Sequence, residues 1–183
     1  MNDQTHGILL HASGKAWDGS LHLMTGNFSQ VSWLRQKGAS VTVERDLAKQ
    51  LRLGASILTT SGSFRSRRYG AAHVRFGVNE GSSILGEAAI TQVTPLGQEG
   101  QLGDVLFVQG SHRLKRGFFA LLTLEQARPD FSFPKQTLRA GPGLQYFPIQ
   151  RLEFRTDFYG TRALDQGVAL TTYTWLLQAH IWL

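Results

Sequence analysis

The chain has no cysteine in 183 residues, so disulfides and thiolate metal sites are both excluded. Charged residues make up only 17% of it, below the roughly 25% usual for soluble domains. No apolar run approaches the roughly 18 residues of a membrane-spanning helix. Walker, GxGxxG, HExxH and zinc-ligand spacings are all missing, and with them the usual marks of a cofactor or a nucleic-acid module. No cofactor, no metal, no enzymatic activity and no nucleic-acid partner are expected. The opening "MNDQTHGILL" also lacks the basic and long apolar segments of a secretory signal.

What is abundant is glycine (20) and phenylalanine (11), with four tryptophans and four tyrosines, a composition suited to an all-β protein. The net charge of +6 favours an anionic partner without identifying one.

The residues alternate. "RLEFRTDFYGTR" sets Leu152, Phe154, Thr156 and Phe158 against Arg151, Glu153, Arg155, Asp157 and Tyr159. A period of two is that of a strand. The same pattern runs through "LRLGASILT", "YGAAHVRFGV", "SILGEAAITQ", "GFFALLTLEQ", "QTLRAGPGLQYF" and the terminal "TYTWLLQAHIWL". "DVLFVQGSH", "ASVTVE", "SLHLMT" and "GILLHAS" complete a series of eleven. Connections alternate too. "RDLAKQ", "NEGSS", "RLKRG" and "PIQR" are short, whereas "TSGSFRSRR", "TPLGQEGQLGD" and "ARPDFSFPKQ" are longer and polar, and the Gly-bearing "ALDQG" falls in the same alternate series. An antiparallel meander places alternate connections at opposite ends. One end then carries tight turns and the other longer loops, the asymmetry of outer-membrane barrels.

A soluble β-barrel would bury Leu152, Phe154 and Phe158 and hydrate the charged row. A membrane barrel inverts that, with the apolar row (Leu152, Phe154, Phe158, Leu177, Ile181, Val74, Phe76) facing out. The connections, the aromatics near strand ends (Tyr69, Phe118, Tyr146, Phe147, Tyr159, Trp175, Trp182) and the apolar last strand favour inversion.

The ending "YTWLLQAHIWL" resembles the C-terminal strand of Gram-negative outer-membrane β-barrels, with Leu183 last in place of the commoner Phe. "LAKQLRLGAS" and "AGPGLQYFPIQRLEFRTDFYGTR" resemble hairpins of such barrels. Those barrels include the ones that follow tetratricopeptide repeats in exopolysaccharide-export proteins such as cellulose synthase operon protein C. The resemblance covers residues 38–183. It implies an up-and-down transmembrane β-barrel in the bacterial outer membrane, in contact with lipid and lipopolysaccharide. It also implies a terminal strand read by the barrel-assembly machinery.

The expected architecture is therefore a single β-barrel domain over residues 1–183, with residues 1–19 an extra strand or a tail. Counting back from a descending last strand makes "GILLHAS" descending as well. Even-numbered bacterial barrels begin with an ascending strand, so an N-terminally incomplete barrel is expected. It would have either an open seam or closure onto residues 20–25 with residues 1–19 outside the sheet.

The charged row proposed for the lumen is Arg52, His73, Arg75, Glu87, Glu125, Arg139, Arg151, Glu153, Arg155, Asp157 and His180. It reads either as a cross-strand ladder of mutually satisfied charges in a packed anchor barrel, or as the lining of a channel or export porin for polar solutes, anions or polysaccharide. Arg65, Arg67 and Arg68, placed in a long loop, are candidates for lipopolysaccharide phosphates. His11 and Ser13 share a strand face, but a base and a hydroxyl without an orienting acid and an oxyanion donor read as a chance pair.

Overall fold

The computed structural model describes residues 6–26 and 36–182. Eleven strands form one sheet in strict sequence order: β1 (His6–Ser13), β2 (Trp17–Gly26), β3 (Lys37–Ala48), β4 (Leu51–Ser61), β5 (Arg65–Asn79), β6 (Ser82–Pro95), β7 (Gln101–Lys115), β8 (Phe118–Arg128), β9 (Gln136–Ile149), β10 (Leu152–Asp165) and β11 (Val168–Ile181). Every pairing is antiparallel. The strands run past the alternating segments read from sequence, reaching 15 residues in β5 and β7. Ladder bonding continues beyond the apolar rows into polar ends, where water also satisfies the backbone.

The meander has the expected two ends, but the contrast between them is smaller than the sequence suggests. Residues 14–16, 49–50, 80–81, 116–117 and 150–151 form the short end. At the other end the described connections are residues 62–64, 96–100, 129–135 and 166–167. Two segments read as loops are strand or tight turn. "RSRR" belongs to β5, where Arg65, Arg67 and Arg68 pair with Pro95, Val93 and Gln92. "ALDQG" shrinks to Gln166 and Gly167, with φ of 49° and 85°, the two positive values a type I′ hairpin turn requires. At the short end Gly117 also takes a positive φ of 72°, and a Cβ there would meet Phe147 O at 2.5 Å. Only glycine fits that approach.

The pleat sorts side chains, and register carries the sorting across the sheet. Buried Glu153, Asp157 and Tyr159 of β10 lie on the same face as Leu121 and Thr123 of β8, Ala89 of β6 and Ala71 of β5. On this face side chains converge over intervening strands, since Arg52 of β4 reaches Asp18 of β2 and His73 of β5 reaches Glu44 of β3. It is the concave face. The other face shows Ile57, Ile90, Leu122, Phe154, Phe158, Leu177 and Ile181, each between 47% and 71% exposed. The inversion read from sequence is therefore the arrangement present, with Phe76 exposed and Leu152 and Val74 half-buried on the same outward rows. The aromatic expectation needs correcting. Phe118, Tyr146 and Trp175 face out, but Tyr69, Phe147, Tyr159 and Trp182 take the concave parity, where Phe147 stacks on Trp182 and meets the edge of Phe119.

No contact joins β1 to β11 among the described residues, so the seam is open. Leu177 and Ala179 pair only with Thr156 and Phe154. Closure onto residues 20–25 with the N-terminal segment outside does not occur, because His6–Ser13 is itself a strand paired to β2. Residues 1–5 lie outside the described residues. β1 and β11 run in the same direction, so antiparallel pairing between these two edges is ruled out.

The cysteine-free chain permits a direct check of facing. Single cysteines at Phe154 and Phe158, carrying an environment-sensitive fluorophore, should be quenched by brominated acyl chains in vesicles. Cysteines at Arg155 and Asp157 should not. Equal quenching of both rows would overturn the lipid-facing assignment.

Candidate functional site: the concave charged wall

The concave rows hold two ion-pair clusters. In the first, Arg52 at the start of β4 donates from Nη1 to Asp18 Oδ2 (2.9 Å) and Glu44 Oε2 (3.2 Å), and from Nε to Asp46 Oδ1 (2.6 Å). From β5, His73 Nε2 lies 2.9 Å from Glu44 Oε1, and Arg75 Nη2 lies 2.9 Å from the same oxygen. One guanidinium thus binds carboxylates from two strands, and one carboxylate collects cations from two others. A fork of five donors suits arginine to this role.

Gly54 makes the first cluster possible. It pairs with Glu44 on one side and His73 on the other, so it lies directly beneath their contact. A Cβ on Gly54 would sit 2.1 Å from His73 Nε2. The imidazole crosses β4 only because that strand carries no side chain there. Gly143 does the same in the second cluster, since its Cβ would stand 2.4 Å from Asp157 Oδ1.

The second cluster spans β8 to β11. Arg155 donates from Nε to Asp157 Oδ2 (2.7 Å) and from Nη2 to Oδ1 (3.1 Å). Glu153 accepts from Gln145 Nε2 (2.7 Å) and faces His180 Nδ1 at 3.4 Å. Arg139 donates from Nε to Glu125 Oε2 (2.8 Å) while its guanidinium carbon lies 4.8 Å from the Tyr159 ring centre. Asp157 and Glu153 are only 3% and 6% exposed. Carboxylates so buried persist because guanidinium, amide and imidazole donors replace the water they lose.

The structure brings ten of the eleven residues proposed for the lumen onto this wall. The eleventh, Arg151, lies exposed in the turn between β9 and β10, where its carbonyl accepts from Trp182 N (3.1 Å). Glu87 accepts from the Tyr69 hydroxyl. Asp18, Glu44 and Asp46 join this wall although they are not among the residues the sequence singles out. The alternation in "DGSLHLMT" and "ASVTVERD" was the signal that could have found them.

The loop arginines divide. Arg65 and Arg67 take the concave parity and Arg68 the outward one, because neighbours along a strand point to opposite faces. His11 and Ser13 do lie on the concave face of β1, and His11 Nε2 is 3.9 Å from Asp18 Oδ1. Asp18 is engaged by Arg52 through its other oxygen, and no hydrogen bond links His11 to Ser13 among the described residues.

The charge balance of the wall is uneven in one respect. Each concave carboxylate of the described strands (Asp18, Glu44, Asp46, Glu87, Glu125, Glu153, Asp157, Asp165) has an arginine, lysine, histidine, glutamine or tyrosine partner. Three concave guanidiniums, Arg65 and Arg67 near the longer-loop end and Arg113 near the short-turn end, have no ion pair among the described residues.

Replacing Gly54 by valine should force His73 off Glu44 and destabilise the sheet by about 1–3 kcal/mol, as overpacking does. Urea titration of the vesicle-inserted protein, followed by tryptophan emission, would measure it. The double variant G54V/H73A should recover part of the loss, and strict additivity would count against the crossing geometry.

No family model matches the chain, and no curated protein matches its sequence. Solved structures do match its fold. The outer-membrane channel DcaP of Acinetobacter baumannii superposes with a TM-score of 0.70 at 9% identity, over 98% of this chain and 63% of that one. An anion-selective porin from Comamonas acidovorans superposes at 0.69 and 9% identity, over 95% of this chain and 58% of that one. This chain therefore spans less than two thirds of either channel, and its eleven-stranded meander has the fold of the wall of a porin barrel.

Proposed function

We propose that this chain forms wall of an outer-membrane channel in a Gram-negative bacterium, passing polar and preferentially anionic solutes. The observation that carries this reading is the imbalance on the concave face. All of its carboxylates are engaged, while Arg65, Arg67 and Arg113 are left to meet whatever enters from either end. A pore lined this way favours anions through unpaired guanidiniums, and its paired clusters hold the wall in shape. The similarity to a channel and to an anion-selective porin supports the reading. The exposed outward row Tyr173, Trp175, Leu177 and Ile181 suits a terminal strand handed to the barrel-assembly machinery.

The competing reading is an anchor barrel with a packed lumen, favoured by the density of ion pairs at Arg52 and Glu44. Polysaccharide export rests on the hairpin resemblance alone.

Planar-bilayer recording across a potassium chloride gradient separates the two. A channel should conduct with a reversal potential on the chloride side. The R67E/R113E variant should lower the chloride-to-potassium permeability ratio on the order of threefold or more, through charge reversal at both mouths. Insertion without conductance would favour the packed anchor, and conductance without ion preference would overturn the anionic preference.

A further inference from the structure

The outward face has its own charge asymmetry, distinct from that of the channel wall. Register assigns Asp18, Glu44, Asp46, Glu87, Glu125, Glu153, Asp157 and Asp165 to the concave rows, leaving Asp104 as the one carboxylate on the outward rows of the described strands. Asp104 is already neutralised, because Arg128 donates to both of its oxygens at 2.7 and 2.8 Å. Lys37, Arg68 and Arg162 take the outward parity too, pairing in the ladder with Ser61, Thr59 and Leu138, while Arg45 takes it at the opposite, short-turn end. None of the three has an ion pair among the described residues. All lie near the longer-loop end of their strands, above outward rows that present Ile57, Ile90, Leu122 and Phe158.

A cation facing hydrocarbon is costly at mid-depth and tolerated near the interface, where a long side chain carries its charge to the headgroups. Lysine and arginine have that reach. Three unpaired cations on one outward rim, with no free carboxylate beside them, are complementary to anionic headgroups and to nothing within the described sheet. We infer that Lys37, Arg68 and Arg162 form a lipid-contact rim that binds headgroup phosphates of the outer-membrane leaflet at the longer-loop end. A guanidinium takes two phosphate oxygens at once, which makes Arg68 and Arg162 the stronger contacts. Of the three arginines in "RSRR", only Arg68 serves this purpose, since Arg65 and Arg67 face the other way.

The inference rests on the membrane-spanning reading, and the experiment keeps the two apart. The full chain is reconstituted in phosphatidylcholine vesicles doped with spin-labelled phosphatidic acid or spin-labelled phosphatidylcholine. Electron paramagnetic resonance then measures the motionally restricted lipid at the protein boundary. Phosphatidic acid should be preferred over phosphatidylcholine by roughly fivefold, the scale of one basic side chain acting on an anionic lipid. K37Q/R68Q/R162Q should lower the preference by half or more, the remainder coming from the short-turn end, and R65Q/R67Q, which removes charge from the concave face, should leave it intact. A restricted component without preference, or a preference unchanged by the triple substitution, overturns the rim. Absence of any restricted component overturns the membrane reading itself.

Discussion

Everything in this molecule follows from the pleat. Each strand sends successive side chains to opposite faces, and antiparallel register passes that choice from one strand to the next. Fixing Glu153 on the concave side of β10 therefore fixes Arg139 on β9, Glu125 on β8 and, through the ladder, Arg52 on β4. A slip of one residue in any pairing would exchange the two faces beyond it. The wide apolar surface and the narrow charged one are not separate features; they are two halves of a single alternation.

The charged half is stable because arginine bridges distances that neighbouring strands alone do not set. Arg52 contacts carboxylates on β2 and β3, and Glu44 receives cations from β4 and β5. These links need gaps beneath them, and glycine supplies the gaps. Gly54 opens the path of His73, and Gly143 the position of Asp157. Glycine would ordinarily weaken a strand. Here its missing side chain removes the one obstacle to an ion pair across the sheet.

The same alternation gives each face a different electrostatic character. Among the described strands the acids lie inward, where each meets a donor, apart from a single outward carboxylate, Asp104, held by Arg128. Cations without an ion pair among the described residues include Arg65, Arg67 and Arg113 on the concave rows and Lys37, Arg68 and Arg162 on the outward rows at the longer-loop end. The net charge of +6 therefore shows on both faces of the sheet.

The amino-acid sequence by itself determined the strand content, the antiparallel order and which residues share a face, because a period of two is a local property that "RLEFRTDFYGTR" displays unaided. That ten of the residues proposed for the lumen share one face was legible for the same reason. Loop boundaries were not: "RSRR" and "ALDQG" look like loops in composition, and only pairing with β6 and β11 makes them strand and turn. Alternation already sets Tyr159 in one row with Glu153 and Asp157, and Tyr69 with His73; grouping them with Phe147 and Trp182 as outward aromatics followed from their place near strand ends, which does not decide the face. The partners of each charge were likewise decided in three dimensions. Glu44, Gly54 and His73 are adjacent only once β3, β4 and β5 are in register, and register depends on hydrogen bonds between strands that the order of residues along one strand does not contain.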